Sequence, residues 1–328
     1  MNIIVMHHEP VILNETLTSI QSASSHKELH SQNVTLHHEP VMLNETLTLI
    51  RNHSSHRKIL DGTLGLGGYS EAILNEFDDA FVLGLDRDED AIRFSQNRLK
   101  DYGARFKAVH SNFGSISELE ECRDFDAYVF DLGVSNMQLE LPERGFSFNN
   151  DGPLDMRMNQ SEDTLTASGI LERTDERTLA KIFWDYGEER YARQIAHSIK
   201  TSKMKLETTG DLVKLIRETL PQPVQRKMGT HPARRVFQAL RIYINDETGE
   251  LERLLDSLPK IAAHNVIIIF VSYHSLEDRI IKRRFREWQS DSLGKIITRH
   301  PMIPSDEEVA KNYKARSAKL RAFCLNTD

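Results

Sequence analysis

Cysteine is scarce. The 328 residues include two, Cys122 and Cys324, far apart and in no metal-like spacing. That argues against a disulfide framework and a cysteine-based metal site, and it fits a reducing compartment. No apolar run approaches the roughly 18 residues of a membrane helix. Cations are nearly missing from the first fifty residues, where Lys27 stands against Glu9, Glu15, Glu28, Glu39 and Glu45. Without basic residues, and with no charged-then-apolar opening, neither a transit peptide nor a secretory leader is expected, and the cytoplasm is the expected location. What remains is ordinary for a globular chain, 39% hydrophobic and 28% charged, enough to bury a sizeable core. The length suggests two domains, or one domain with a large insertion.

The net charge of −7 looks wrong for a partner made of nucleic acid, but its distribution matters more. Between Leu171 and Arg241 there are 15 lysines and arginines against 9 carboxylates, so this stretch is basic and the rest strongly acidic. Solvated helix faces explain such an excess equally well, and it gains meaning only beside the motifs.

A segment near the N-terminus is repeated: His7-His8-Glu9-Pro10-Val11 to Thr18 recurs, nearly unchanged, as His37-His38-Glu39-Pro40-Val41 to Thr48. Two copies make no solenoid. Only the second runs into the first core strand, so residues 1–36 read as an extension. Adjacent histidines diverge on a regular backbone, so His37 and His38 suit surface or packing roles better than a metal. From Arg57 apolar runs alternate with amphipathic stretches. Strands are predicted at Lys58–Asp61, Phe81–Asp86, Phe106–Val109, Asp126–Asp131 and Val266–Val271, with Lys295–Thr298 and Leu320–Leu325 as closing edge strands. Helices are predicted from Tyr69, over Asp88–Leu99, and from a capping box at Ser275-Leu276-Glu277-Asp278 to Trp288. Between Pro142 and Met228 helical patterns dominate (Asp175–Tyr186, Glu188–Thr201, Thr208–Leu220), and a long helix follows over Pro232–Leu258. The predicted architecture is a doubly wound α/β sheet, residues 37–141 and 229–328, interrupted by a helical insertion at 142–228.

The most informative stretch is Asp61-Gly62-Thr63-Leu64-Gly65-Leu66-Gly67-Gly68, which closes a strand and opens a helix, with Asp86 at the end of the next strand. Glycines there admit a ligand close to the backbone, and Asp86 suits a ribose diol or, alternatively, a helix cap. A carboxylate at Asp61 would repel a pyrophosphate but attract an ammonium and a sulfonium. That favours S-adenosylmethionine over a nicotinamide dinucleotide, and a hydride-relay set is not found. Phe113 suits stacking on an adenine as well as it suits a core. Asp131, at the end of the fourth strand, suits a cofactor–substrate junction or the capping of nearby amides. Neither cysteine lies at a strand end, so carbon methylation of a pyrimidine, which uses a thiolate, is disfavoured against methylation of an exocyclic amine. In the irregular run Gly145 to Met158, Asp155 and Arg157 suit either a site or a mutual salt bridge. The cations of His231-Pro232-Ala233-Arg234-Arg235 suit phosphates. His274, after the fifth strand, is the best placed of the fourteen histidines, and equally a helix start.

Together these segments resemble one family, the small-subunit ribosomal RNA cytosine-N4 methyltransferases (the MraW family). The resemblance rests on His38 to Leu43, Asp61 to Gly68, Leu85 to Asp88, Asp131 to Ser135, Glu143 to Phe148, Asp151-Gly152-Pro153-Leu154-Asp155-Met156-Arg157-Met158, Phe237 to Ile242 and His274 to Arg279. It implies a Rossmann-like S-adenosylmethionine-dependent methyltransferase domain with an inserted helical, RNA-recognising domain. It implies N4-methylation of a cytidine in the decoding region of 16S ribosomal RNA, free or in the assembled small subunit. Implied cofactor contacts are Gly67, Gly68, Tyr69, Asp86, Phe113, Asp131 and Gln138. Asp131, Asp155 and His274 are the catalytic candidates, and no metal is expected. The chain departs from the family at Tyr69 (usually histidine), Asn136, Glu140, Arg234 and Tyr273 (usually phenylalanine). Through Tyr69, a binding-only relative without cofactor affinity is the other reading. A homodimer is compatible with all of this.

Overall fold

The computed structural model describes residues 40–162 and 164–326. The first copy of the repeat, the predicted extension 1–36 and His37-His38-Glu39 lie outside them. Seven strands form one sheet: β1 Lys58–Asp61, β2 Phe81–Asp86, β3 Phe106–His110, β4 Ala127–Asp131, β5 Val266–Ser272, β6 Gly294–Ile296 and β7 Lys319–Leu325. Their order is β3-β2-β1-β4-β5-β7-β6, parallel through the first five and antiparallel for β7 against both its neighbours. β7 is therefore not the edge expected of Leu320–Leu325. It is mostly buried between β5 and β6, and the free edge falls to three-residue β6, whose Lys295 faces solvent. A short, charged edge strand discourages further strand pairing.

The unbroken apolar runs of β4 and β5 follow from cover on both faces. Alternate side chains sort into two cores. Leu60, Tyr128, Phe130, Ile268 and Phe270 lie with Leu254 and Leu258 of helix Glu247–Ile261 and with Phe285 and Trp288 of helix Ser275–Ser290. On the other face Ile59, Val129, Ile267 and Ile269 lie with Ile50 of helix Leu43–His53 and Ile73 of helix Gly68–Glu76. A third core runs from Phe146 through the helices Ala167–Arg173, Glu176–Gly187, Ala192–Thr201 and Thr209–Thr219. It also takes Val236, Phe237 and Leu240 from helix Arg234–Ile244. Among the described residues no helix is long and apolar enough to cross a membrane.

The single helix predicted over Pro232–Leu258 is two, Arg234–Ile244 and Glu247–Ile261, because Asp246 is left-handed (φ 47°). The break frees the buried Asn245 amide to clamp another chain segment: its Oδ1 accepts from Met158 N and its Nδ2 donates to Met156 O, both at 2.8 Å. Left-handed Glu188 likewise delays the next helix to Ala192.

One buried ion pair ties the irregular segment to the sheet. Asp88, which caps helix Glu89–Arg98, accepts from Arg144 Nη1 at 2.7 Å and from Gln138 Nε2 at 2.9 Å. Arg144 Nη2 reaches on to Met158 O at 2.8 Å. Removing one partner of such a pair strands the other charge in a poor dielectric. Asp88→Ala is expected to cost about 3–5 kcal/mol in urea unfolding; a loss below about 1 kcal/mol would mean that the pair is not what joins these segments.

Candidate active site at the carboxyl ends of the strands

Parallel strands place their last residues on one edge of the sheet, where open α/β folds bind ligands. Asp61 ends β1, Asp86 ends β2, Asp131 ends β4, and Tyr273-His274 follows β5. The Gly-rich turn is pinned to this edge by backbone bonds from Gly62 N to Val129 O and from Leu64 N to Leu85 O, both 2.8 Å. Gly67 (φ 80°) starts helix Gly68–Glu76 in a conformation that side-chain-bearing residues rarely adopt. At Gly68 the need is packing, since a Cβ would lie 2.8 Å from Pro40 Cγ.

Three carboxylates at this edge share a condition. Asp61 is 1% exposed; Ser70 Oγ donates to its Oδ2 at 2.7 Å and Thr63 N to its Oδ1 at 3.3 Å. Asp86 accepts from Gly65 N at 2.7 Å and Asp88 N at 2.9 Å, so it braces the glycine turn. Asp131 accepts from Tyr273 Oη at 2.7 Å, while its own amide donates to Thr63 Oγ1 at 2.6 Å. Burial pushes Asp61 and Asp86 up to about 6 and Asp131 up to about 7, against hydrogen bonds that resist the rise. Asp61 adds to the rise at both Asp86 and Asp131, and Glu277 adds at Asp131. The groups facing these acids are hydroxyls, backbone amides and other carboxylates. Their charged forms await a cation, which an ammonium and a sulfonium supply and a pyrophosphate does not.

The other expected residues occupy varied places. Tyr69 is buried in the core beneath helix Gly68–Glu76, and its hydroxyl donates to Val41 O. Burial, with Asp131 and Asp61 nearby, holds that phenol well above its ordinary range. Phe113 opens a 3₁₀ turn, half-buried, with its ring edge-on to Phe130 at 6.3 Å. Gln138 is buried with both ends of its amide engaged, in a capping box with Ser135 and on Asp88. Asp155 forms two bonds to Arg157, at 2.8 and 3.0 Å. Partial burial opposes its charge, but the Arg157 contacts prevail and hold it below the usual carboxylate range.

His274, not Ser275, caps the last long helix, so the box begins one residue earlier than the sequence pattern suggests. Its Nδ1 accepts from Glu277 N at 3.5 Å and its Nε2 lies 3.0 Å from Glu277 Oε1, while Glu277 Oε2 accepts from Tyr273 N. Burial opposes the Glu277 charge, yet His274 and Arg241 hold it below its ordinary value. Donor atoms of Glu247, His274 and Glu277 lie within 4.8 Å of one another. The positive charge in that cluster is Arg241, which takes both Glu247 oxygens at 2.7 and 2.8 Å. Sequence reasoning missed this pair and the bond from Tyr273 to Asp131. Local spacing could not reveal the second, since Tyr273 lies 142 residues from Asp131; the first spans six residues across the break between two helices that sequence periodicity reads as one.

Parallel strands that end, among the described residues, in carboxylates without counter-charge around a Gly-rich turn fit the class this chain falls in, the Rossmann-like methyltransferases that take S-adenosylmethionine. The chain belongs to the MraW methylase family, whose profile matches residues 35–325. Ribosomal RNA small subunit methyltransferase H of Picosynechococcus sp. is 45% identical over 262 residues, 80% of this chain and 88% of its own length. The Rickettsia bellii protein of the same name is 42% identical over 282 residues, covering 80% and 90%. That of Carboxydothermus hydrogenoformans is 41% identical over 283 residues, again covering 80% and 90%.

Because the acids near 6 and 7 sit above the 3.8 of an unfolded aspartate, the ligand-free folded chain binds protons more tightly than the unfolded one. Their contribution to stability is full below 3.8 and is lost as pH rises through about 6–7. Asp61→Asn removes one buried charge and keeps its shape. The variant is expected to melt about 2–4 °C above the parent at pH 8 without ligand, with the gap closing towards about pH 5. It is also expected to bind S-adenosylmethionine at least about tenfold more weakly at pH 8. Scanning fluorimetry and titration calorimetry read both; unchanged melting and affinity would remove Asp61 from the site.

Proposed function

We propose that this enzyme, a ribosomal RNA methyltransferase by its family, transfers the methyl group of S-adenosylmethionine to N4 of a cytidine in the decoding region of the small-subunit RNA. The observation that carries the reading is Asp131, a half-buried carboxylate poised near neutrality at the strand ends, with no thiol beside it. Cys122 is buried in the sheet's core, its thiol pushed up to about 12 by burial, and Cys324 lies on β7. An attack through a cysteine on the pyrimidine ring therefore has no nucleophile here. An exocyclic amine needs none.

The positive sulfur of S-adenosylmethionine supplies an already activated methyl group when bound. Asp61, Asp86 and the glycine turn would hold that ligand, Asp61 facing its positive charge and Asp86 its ribose hydroxyls. Asp131 would accept a hydrogen bond from the cytosine amine and so orient the nitrogen lone pair. It would then take the proton that the amine gives up and release it to water. Alignment of this kind accounts for about 7–11 kcal/mol of barrier. Asp155, fixed by Arg157, and His274, fixed by Glu277, hold the loop and helix start that border the acceptor.

Residues 142–228 form the RNA-recognising part, and the ribosomal substrate puts the enzyme in the cytoplasm. An open groove of about 700 Å³ on this part carries Lys214 and Arg217. Arg217 Nη2 is 2.9 Å from His231 Nε2, which brings the residues before helix Arg234–Ile244 to the same cationic surface.

Radiolabelled methyl transfer to small-subunit particles and to naked RNA, followed by nucleoside analysis, tests the reading. The label is expected in N4-methylcytidine, with Asp131→Ala at least about a hundredfold slower; label in another nucleoside, or an Asp131→Ala rate near the parent's, overturns it. RNA affinity is expected to fall steeply with salt. A Lys214→Ala/Arg217→Ala variant should lower the slope of log affinity against log salt by about 1–2. An unchanged slope removes this groove from the RNA face.

A further inference from the structure

Two tyrosines, Tyr69 and Tyr273, flank the same carboxylate, Asp131. Their hydroxyls do different things. That of Tyr69 is spent on Val41 O. That of Tyr273 donates to Asp131 Oδ1 at 2.7 Å, and among the described residues it is the side-chain donor Asp131 has. A phenylalanine in its place would supply the ring and not the bond.

Tyr273 is built to hold that geometry. Its amide donates to Glu277 Oε2 at 3.0 Å, which fixes the backbone at the end of β5. Its ring lies over Gly133, where a Cβ would sit 3.5 Å from Cδ2. That is ordinary contact distance, and it is the backbone of Gly133 (φ 115°), a conformation that favours glycine, that shapes the turn under the ring. The partner is held from the other side, since the Asp131 amide is tied to Thr63 Oγ1 at 2.6 Å.

We propose that Tyr273 is a positioning residue: its hydroxyl sets the direction of the Asp131 carboxylate and keeps it ionised for the positively charged methyl donor. The proposal rests on the reading of Asp131 given above. The titratable groups facing Asp131 are Asp61 from β1, Tyr69 from helix Gly68–Glu76, Glu277 from helix Ser275–Ser290 and Tyr273 itself. Both carboxylates among these oppose its ionisation, and so does burial; the Tyr273 bond favours it. A hydrogen bond to the charged form is what lowers an acid's pKa.

The test is the affinity for S-adenosylmethionine measured by calorimetry from about pH 5.5 to 8.5, with no RNA present, for the parent, Tyr273→Phe and Asp131→Asn. The parent should lose affinity as pH falls through the Asp131 midpoint. In Tyr273→Phe that midpoint should move up by about one pH unit, so affinity drops roughly three- to tenfold near pH 6.5 and little at pH 8.5. Asp131→Asn should lack this midpoint and bind weakly throughout. A Tyr273→Phe profile that superimposes on the parent's overturns the proposal, as does a loss of affinity that is the same at every pH. An Asp131→Asn profile that keeps the midpoint overturns it too. If the midpoint shifts as expected while methyl transfer places label elsewhere than N4 of cytidine, the positioning role stands and the substrate reading falls.

Discussion

Withdrawing a carboxylate from water is costly unless something compensates its charge, and this fold buries Asp61 and half-buries Asp86 and Asp131 where its strands end. Asp61, Asp86 and Asp131 receive hydrogen bonds from Ser70, Thr63, Gly65, Asp88 and Tyr273, which soften the cost without supplying positive charge. The rest of the site follows from that shortfall. The turn is glycine-rich so that backbone amides can reach Asp86. The apolar walls raise the acids towards neutrality, and the one ligand class that relieves them is a cation. On the proposed reading, the protein gives up stability at neutral pH to keep an electrostatic well for a methyl donor, a trade often seen at functional sites.

Elsewhere three withdrawn arginines meet carboxylates. Arg144 meets Asp88, Arg241 meets Glu247, and Arg321 meets Asp278 at 2.6 Å. Two of these pairs lie where the third core joins the sheet. Asp88 follows β2 and meets the arginine that enters the irregular loop; Glu247 opens the helix after the Asn245 clamp. The Arg144–Asp88 pair fixes segments 56 residues apart, whereas among the described residues the strand-end acids have no such partner. The contrast separates structural charge from functional charge without reference to any relative.

Much of this was legible in the sequence because its causes are local. The runs of β4 and β5, the caps at Asp88, Asp175 and Thr208, and the glycine turn before helix Gly68–Glu76 all follow from spacing and residue type. Asp61 also announced its chemistry, since an acid at the first strand's tip already excludes a pyrophosphate. Less was legible where one residue serves two masters. The Asn245-Asp246 break is invisible to periodicity because the apolar pattern continues through it. Gln138 reads as a ligand contact by resemblance, yet its amide is engaged by Ser135 and Asp88. His274 reads equally as a site residue and as a helix start, and it does cap a helix.

Alternation, caps and glycine placement by themselves determined the sheet's parallel half and the turn before helix Gly68–Glu76, because each depends on neighbours within a few residues. Only the tertiary structure decided that β7 is interior, that Tyr273 and not Tyr69 serves Asp131, and which acids lack a counter-charge. Those outcomes turn on contacts between residues many positions apart, and on burial, which a side chain acquires only when the whole chain has closed around it.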